Sequence, residues 1–346
     1  MSNSPERSPR AVIFGCAGLS LSDGEREFFR RTNPAGFILF QRNCGDPDQI
    51  RALTADLRAC VERAAPILID QEGGRVQRLK PPTWRAAPAA AVFAALAARD
   101  LAAARRAVWI NARLIAADLW ALGIDVDCAP VLDVPIPGAH DVIGDRAFGT
   151  DIAVIAALGR AMCDGLIAGG VLPVIKHIPG HGRAMADSHF ACPVVSVSAE
   201  SLAAQDVPPF RALADMPFAM TAHVVYTAWD DRVATVSAKI IDTIIRDAIG
   251  FDGVLMSDDL SMKALGGSFT DRTRDALSAG CDVVLHCNGA MDEMAEIAAA
   301  APPLSVVSAR RWNSALARRQ RPEADDLVAL AAELSRLIGV TEGRMP

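Results

Sequence analysis

"VLPVIKHIPGHGRAMADSH", residues 171–189, opens as an apolar run, closes that run on Lys176 and His177, and then breaks at Pro179 and Gly180. A short apolar stretch of this kind reads as a strand buried on both faces, ending where a parallel sheet opens to solvent. Seven other stretches are similarly short and apolar: "AVIFGC" (11–16), "GFILF" (36–40), "PILID" (66–70), "IDVDCAPVLDV" (124–134), "FAMTAHV" (218–224), "GVLMSDD" (253–259) and "DVVLHC" (282–287). Alanine-rich amphipathic stretches at 92–121, 150–168, 237–249 and 271–279 lie between them. Gly123, Gly169, Gly250 and Gly280 stand where left-handed helix caps are expected. Strands alternating with helices in this number predict an α/β fold, a (β/α)8 TIM barrel. The barrel is expected to be a single domain over 10–300, with a mostly helical tail over 301–346 packed on it. A doubly wound sheet would instead carry a glycine-rich phosphate loop after an early strand, and "FGCAGLS" does not match GxGxxG.

The chain has 346 residues, is 51% hydrophobic and carries a formal net charge of −6. That balance argues against a nucleic-acid or anionic-membrane partner. Arg310, Arg311, Arg318, Arg319 and Arg321 are interrupted by apolar residues and read as the solvated face of a helix. The eight cysteines are dispersed without a CxxC, as buried thiols of a reducing compartment would be. The N-terminal stretch "MSNSPERSPRAVIFGCAGLSL" has no long apolar core, so no signal peptide is expected. With no long uncharged apolar span either, the expectation is a cytoplasmic protein, monomeric or weakly dimeric.

Polar residues gather at the predicted strand ends. Strand three closes on Asp70, strand four on Asp133, strand five on Lys176 and His177, strand six on His223, and strand seven on Asp258 and Asp259. In a (β/α)8 barrel these ends open on one face, where active sites are built. Taken singly, each also fits a satisfied buried group; together they predict a polar pocket. His177 and His181 would suit a zinc pair if they stood on a helix, but Pro179 and Gly180 break that geometry. No further ligand motif supports a metal, and neither metal nor cofactor is expected.

Asp187 and His189 form a different pairing. A carboxylate two residues from an imidazole can accept its ring N–H, fixing the tautomer and raising its basicity. His189 is thus a candidate general acid/base on a loop, although D-S-H alone also fits an ordinary turn. In "MSDDLSM" (256–262) two adjacent acids follow a strand, where at most one can aim at the barrel axis. One reads as a nucleophile or as a solvated group, the other as a cap for the next segment.

Six motifs taken together carry a resemblance: "DQEGGRVQRL" (70–79), "APVLDV" (129–134), "GDRAFG" (144–149), "KHIPGHG" (176–182), "DSH" (187–189) and "MSDDLSM". In this order they resemble glycoside hydrolase family 3, in particular its bacterial β-N-acetylglucosaminidases of cell-wall recycling. Ile178 stands where phenylalanine is commoner. The resemblance implies a β-N-acetylhexosaminidase that removes terminal non-reducing β-linked GlcNAc, with retention, from GlcNAc-1,6-anhydroMurNAc-peptides. It implies Asp258 as nucleophile, His189 as acid/base paired with Asp187, and Asp259 as support for the following segment. Asp70, Arg78, Arg146, Lys176 and His177 match sugar-binding positions, while His181 is expected to hold the loop and His223 to line the pocket. Many relatives carry a second sandwich domain that completes the site; here the loop bearing His189 is expected to do so. Three alternatives stay open: phosphorolysis, which shares every motif, a metal-dependent barrel hydrolase, and a catalytically silent sugar-binding protein.

Overall fold

Eight parallel strands close into a barrel in the computed structural model, which describes residues 8–339. They are β1 (Arg10–Phe14), β2 (Pro34–Leu39), β3 (Ile67–Ile69), β4 (Val126–Asp127), β5 (Leu172–Ile178), β6 (Phe218–Thr221), β7 (Val254–Asp259) and β8 (Val283–His286). Each pairs with its sequence neighbours, and β8 closes on β1 through Val12 opposite Val284 and Phe14 opposite His286. The predicted (β/α)8 barrel is what forms.

Successive side chains of a strand face opposite ways, so each strand feeds two cores. Ile13, Ile38, Leu68, Val126, Val174, Met220, Met256 and Leu285 fill the barrel interior. Val12, Leu39, Ile69, Ile175, Ala219, Leu255 and Val284 point outward beneath the helices. Both faces being buried, the strands read as continuous apolar runs. The same alternation places the site. Asp70 lies two residues beyond Leu68, Lys176 two beyond Val174, and Asp258 two beyond Met256, so each continues an inward row beyond the apolar filling.

The helices Pro47–Val61, Leu101–Ala121, Ile152–Ala168 and Phe269–Ala279 start at Asp46, Asp100, Asp151 and Ser268, whose side chains accept backbone N–H groups of the first turn. Such caps satisfy donors that the helix itself cannot. The helical stretch predicted over 92–121 is two helices, Ala90–Ala97 and Leu101–Ala121, because Asp100 adopts an extended conformation and caps the second. Gly123, Gly250 and Gly280 have the expected positive φ, but Gly169 does not; the left-handed residue there is Gly170, at φ 79°.

The strand starts are closed by the helix Val306–Ala317. Its Trp312 enters the interior cluster with Leu304 and Ala315, and its ring stands 5.8 Å from Phe218 at 83°. Of the neighbouring arginines read as a solvated face, Arg310, Arg319 and Arg321 are exposed, but Arg311 and Arg319 also reach buried acids. Arg311 pairs with Asp252 at 2.7 Å and with Asp282 at 3.3 Å, and Arg319 pairs with Asp125. Asp125 and Asp282 are nearly inaccessible, and buried carboxylates need counter-ions. Farther on, the helix Leu327–Ile338 is tied to Leu101–Ala121 by Arg106 and Glu333 at 2.8 Å.

The cysteines are free, but Cys192 is exposed and Cys44 half-buried, so not all are core thiols. Among the described residues no helix is long and apolar enough to cross a membrane. The start of the N-terminal stretch (1–7) and the end of the tail (340–346) lie outside the described residues.

Replacing Trp312 by alanine empties the closed end of the barrel. The expected loss is about 3–5 kcal/mol of unfolding free energy, read by urea denaturation. A loss of under ~0.5 kcal/mol, within the range of ordinary surface substitutions, would show that the helix merely rests on the surface.

Candidate active site

Five charged groups meet where the inward rows of β3 and β5 end. The Lys176 ammonium lies 2.9 Å from Asp70 Oδ1 and 2.6 Å from Glu72 Oε1. Arg146 grips Glu72 with Nε at 2.9 Å and Nη2 at 2.8 Å, and Arg78 Nη2 reaches Asp70 Oδ2 at 3.0 Å. All five line one cleft. Burial alone would push both carboxyls up, yet Lys176 and Arg78 hold Asp70 well below the carboxylate range. Arg146 and Lys176 likewise bring Glu72 down to about 2 against the same effect.

A hairpin after β3, pairing Gln71–Gly73 with Val76–Gln77, folds these side chains back over the barrel. Gly73 makes that turn possible: its φ is 101°, and a Cβ there would meet the Pro88 carbonyl oxygen at 2.4 Å. The Gln71 side chain accepts the backbone N–H groups of Arg78 and Leu79 at 2.8 and 3.0 Å, which fixes the returning strand. Glu72 was not singled out from the sequence, although it stands two residues beyond Asp70 in the same motif. Its signal was that spacing.

The second wall is organised by Asp133. Its Oδ2 lies 2.7 Å from His177 Nδ1, while Oδ1 accepts the backbone N–H groups of His177 at 3.2 Å and His181 at 2.6 Å. A carboxylate only accepts, so Nδ1 of His177 carries the proton between them. Burial would raise the Asp133 carboxyl, but His177 and these hydrogen bonds hold it low. Asp133 does not itself line the cleft.

His223 does not line the cleft either. It is fully buried, with Nδ1 2.7 Å from Thr235 Oγ1 and Nε2 3.1 Å from the Asp259 carbonyl, so it supports the end of β7.

Asp258 and Asp259 both border the cleft but have different partners. Asp259 accepts from Ser261 N at 3.0 Å, Ser261 Oγ at 2.6 Å and Cys287 N at 3.2 Å, which ties down the turn after β7. Among the described residues, Asp258 takes a hydrogen bond only from the Asp259 N–H, at 2.8 Å. Burial would raise its pKa, but the imidazoles of His223 and His177 and that N–H bring it below the ordinary carboxylate value. One carboxylate is occupied by structure; its neighbour stays ionised and open to the cleft.

His189 approaches on the segment that follows β5. Asp187 Oδ1 accepts from its backbone N at 2.9 Å and lies 2.7 Å from its Nδ1. The side chain of His189 is 61% exposed. The segment is held at both ends: Arg183 Nε pairs with Asp206 Oδ2 at 2.6 Å, and the carbonyls of Ser188 and His189 accept from Ala264 N at 3.2 Å and Lys263 N at 3.4 Å. Asp70, Arg78, Arg146, Lys176, His177, His189 and Asp258 are therefore brought to one cleft, with Asp187 behind His189. His177 and His181 sit on a strand end and a turn, not on a helix. Among the described residues no three or more His, Cys, Asp or Glu side chains are grouped to hold a metal ion.

The glycosyl hydrolase family 3 N-terminal domain matches residues 12–321. The chain belongs to glycoside hydrolase family 3. It is thereby an enzyme of the glycosidase class. A protein named beta-hexosaminidase from Aromatoleum aromaticum is 38% identical over 332 residues, 92% of this chain and 90% of that protein. Another of that name from Methylococcus capsulatus is 41% identical over 280 residues, covering 80% of this chain and 82% of its own. NagZ from Neisseria gonorrhoeae, solved in complex with N-trifluoroacetyl-D-glucosamine, superposes with a TM-score of 0.85 at 32% identity, covering 96% of this chain and 98% of that one.

Glu72 links the cleft to the stability of this family 3 barrel. Its folded pKa of about 2 lies below the ordinary 4.5, so its carboxylate stabilises the fold fully above pH 4.5 and loses that contribution as pH falls toward 2. Glu72→Gln should therefore be less stable than the parent at pH 7 by on the order of 3 kcal/mol. The gap between the two should narrow as urea titrations are repeated from pH 4.5 downward. A gap that stays constant with pH would contradict the pairing.

Proposed function

We propose that the protein is a retaining exo-β-N-acetylglucosaminidase. The observation that carries the reading is an ionised carboxylate, Asp258, in the same cleft as an imidazole whose Nδ1 is engaged by a carboxylate. Beneath Asp70, Lys176 and Asp258 the inward rows are apolar core, so the cleft is a blind pocket suited to the end of a glycan chain rather than its middle. Arg78, Arg146, Lys176, Asp70 and His177 bind the sugar, where hydrogen bonds from charged groups to hydroxyls are about twice as strong as neutral ones.

With the terminal sugar bound, Asp258 attacks the anomeric carbon and forms a glycosyl-enzyme. His189 donates its Nε2 proton to the departing glycosidic oxygen. Asp187 keeps the ring oriented and steadies the imidazolium that precedes donation. In the second step the neutral imidazole removes a proton from water, which releases the sugar with its original configuration and returns both groups to their starting states. The substrate is a muropeptide fragment ending in β-linked GlcNAc, processed in the cytoplasm. The similarity to proteins named beta-hexosaminidase and to an enzyme holding an N-acylglucosamine supports this choice of sugar.

His189→Ala should slow cleavage of an unactivated GlcNAc disaccharide by about 10²–10⁴-fold. Formation of the glycosyl-enzyme from the dinitrophenyl glycoside, whose leaving group needs no proton, should be far less affected. Equal slowing of both would remove His189 from the acid/base role. Asp258→Ala should lose turnover of both substrates with the fold retained, whereas Asp259→Ala should weaken the turn after β7. Near-parental turnover by Asp258→Ala would reverse the two assignments. Products formed with and without phosphate distinguish free GlcNAc, the expected product, from GlcNAc-1-phosphate, which would mark a phosphorolytic enzyme.

A further inference from the structure

The imidazole of His189 is mostly exposed and, among the described residues, bonded only to its own loop neighbour, Asp187, so its place over the cleft depends on how that loop is fastened. Ser188, between the two, is the buried residue of the triplet at 3% exposure. Its Oγ lies 3.1 Å from Nε2 of His181, itself 3% exposed. The backbone N–H of His181 is held by Asp133, the same carboxylate that orients His177. A short chain of contacts thus runs from the sugar-binding wall, through Asp133 and His181, to the residue beside His189.

We infer that His181 and Ser188 form a latch that positions the acid/base histidine over the bound sugar. The inference rests on the reading of His189 as acid/base. Two other roles fit less well. Serine and imidazole have the atoms of a nucleophile and its base, but that arrangement needs a third group to orient the ring, and Nδ1 of His181 has no partner among the described residues. Nor is His181 placed as a proton donor to substrate: Nε2 is engaged by Ser188, and burial with His177 nearby brings the ring down to about 4, so it is neutral at ordinary pH. A neutral ring accepts the Ser188 hydroxyl proton at Nε2 when the tautomer carries its hydrogen on Nδ1. Ser188 also anchors by its carbonyl, which accepts from Ala264 N in the segment after Asp258. The latch therefore sets His189 relative to both the sugar wall and the nucleophile. Both residues are positioning residues, acting through His189.

Ser188→Ala removes the latch and leaves the sugar contacts in place. A displacement of about 1 Å in a catalytic group can lower a rate by roughly 10²-fold. The variant should therefore slow an unactivated GlcNAc disaccharide by about tenfold to a hundredfold in kcat, with KM little changed. Glycosyl-enzyme formation from the dinitrophenyl glycoside should fall by only a few-fold. His181→Asn, which cuts the same bond from the other side, should reproduce the leaving-group split. His189→Ala is measured in parallel. If it shows the split and neither latch variant does, the latch is overturned and the acid/base assignment stands. If His189→Ala itself slows both substrates equally, the acid/base reading fails, and the latch with it.

Discussion

Lys176 places a positive charge almost wholly out of water, 2% exposed, between two carboxylates at 2.9 and 2.6 Å. Desolvating an ammonium costs several kcal/mol, and the cost is offset only where geometry and counter-charge are both good. That requirement reaches across the structure. It brings Asp70 from the end of β3 and Glu72 from the hairpin onto the end of β5, and each carboxylate draws in an arginine, Arg78 or Arg146. A barrel whose inward rows ended in apolar residues would simply close. Here the rows end in charge, and the mouth of the barrel is held open as a polar, rigid wall of alternating sign.

The carboxylates around that wall have been given separate tasks by their partners. Asp133 holds His177 and the backbone of His181, Asp259 holds the turn after β7, and Asp187 holds His189. Among the described residues Asp258 accepts a single neighbouring N–H, and it borders the cleft. A carboxylate kept ionised and uncommitted beside imidazoles suits attack on an electrophilic carbon. The two adjacent acids thus differ in what surrounds each side chain, and the nucleophile proposed is the one with fewer partners.

The barrel was legible because its strands are buried on both faces. That produces apolar runs which local pattern detects, and each of the eight strands overlaps such a run. The polar residues at the strand ends were legible for the same reason, since charge following an apolar run stands out. Features set by distant partners were hidden. Glu72 acquires its role from Arg146 and Lys176, about 70 to 100 residues away, and a motif read locally gives it no weight. Arg311 and Arg319 looked like solvent-facing residues because Asp125, Asp252 and Asp282, which they meet, lie on other elements. The break before Leu101 was carried by one capping side chain, Asp100, within an alanine-rich stretch otherwise favourable to helix throughout. His223 looked like a pocket residue from its strand position, yet its bond to the Asp259 carbonyl turns it to the support of β7.

The proposed mechanism puts a covalent bond on a carboxylate oxygen of Asp258, and mass spectrometry can locate it. His189→Ala, incubated with the dinitrophenyl glycoside of GlcNAc and quenched in acid, should accumulate a glycosyl-enzyme because its second step lacks a base. Digestion should recover an adduct of one N-acetylhexosamine on the peptide that contains Asp258, with fragmentation assigning it to that side chain. An adduct mapped to Asp259, to Ser188 or to any residue outside β7 would contradict the account.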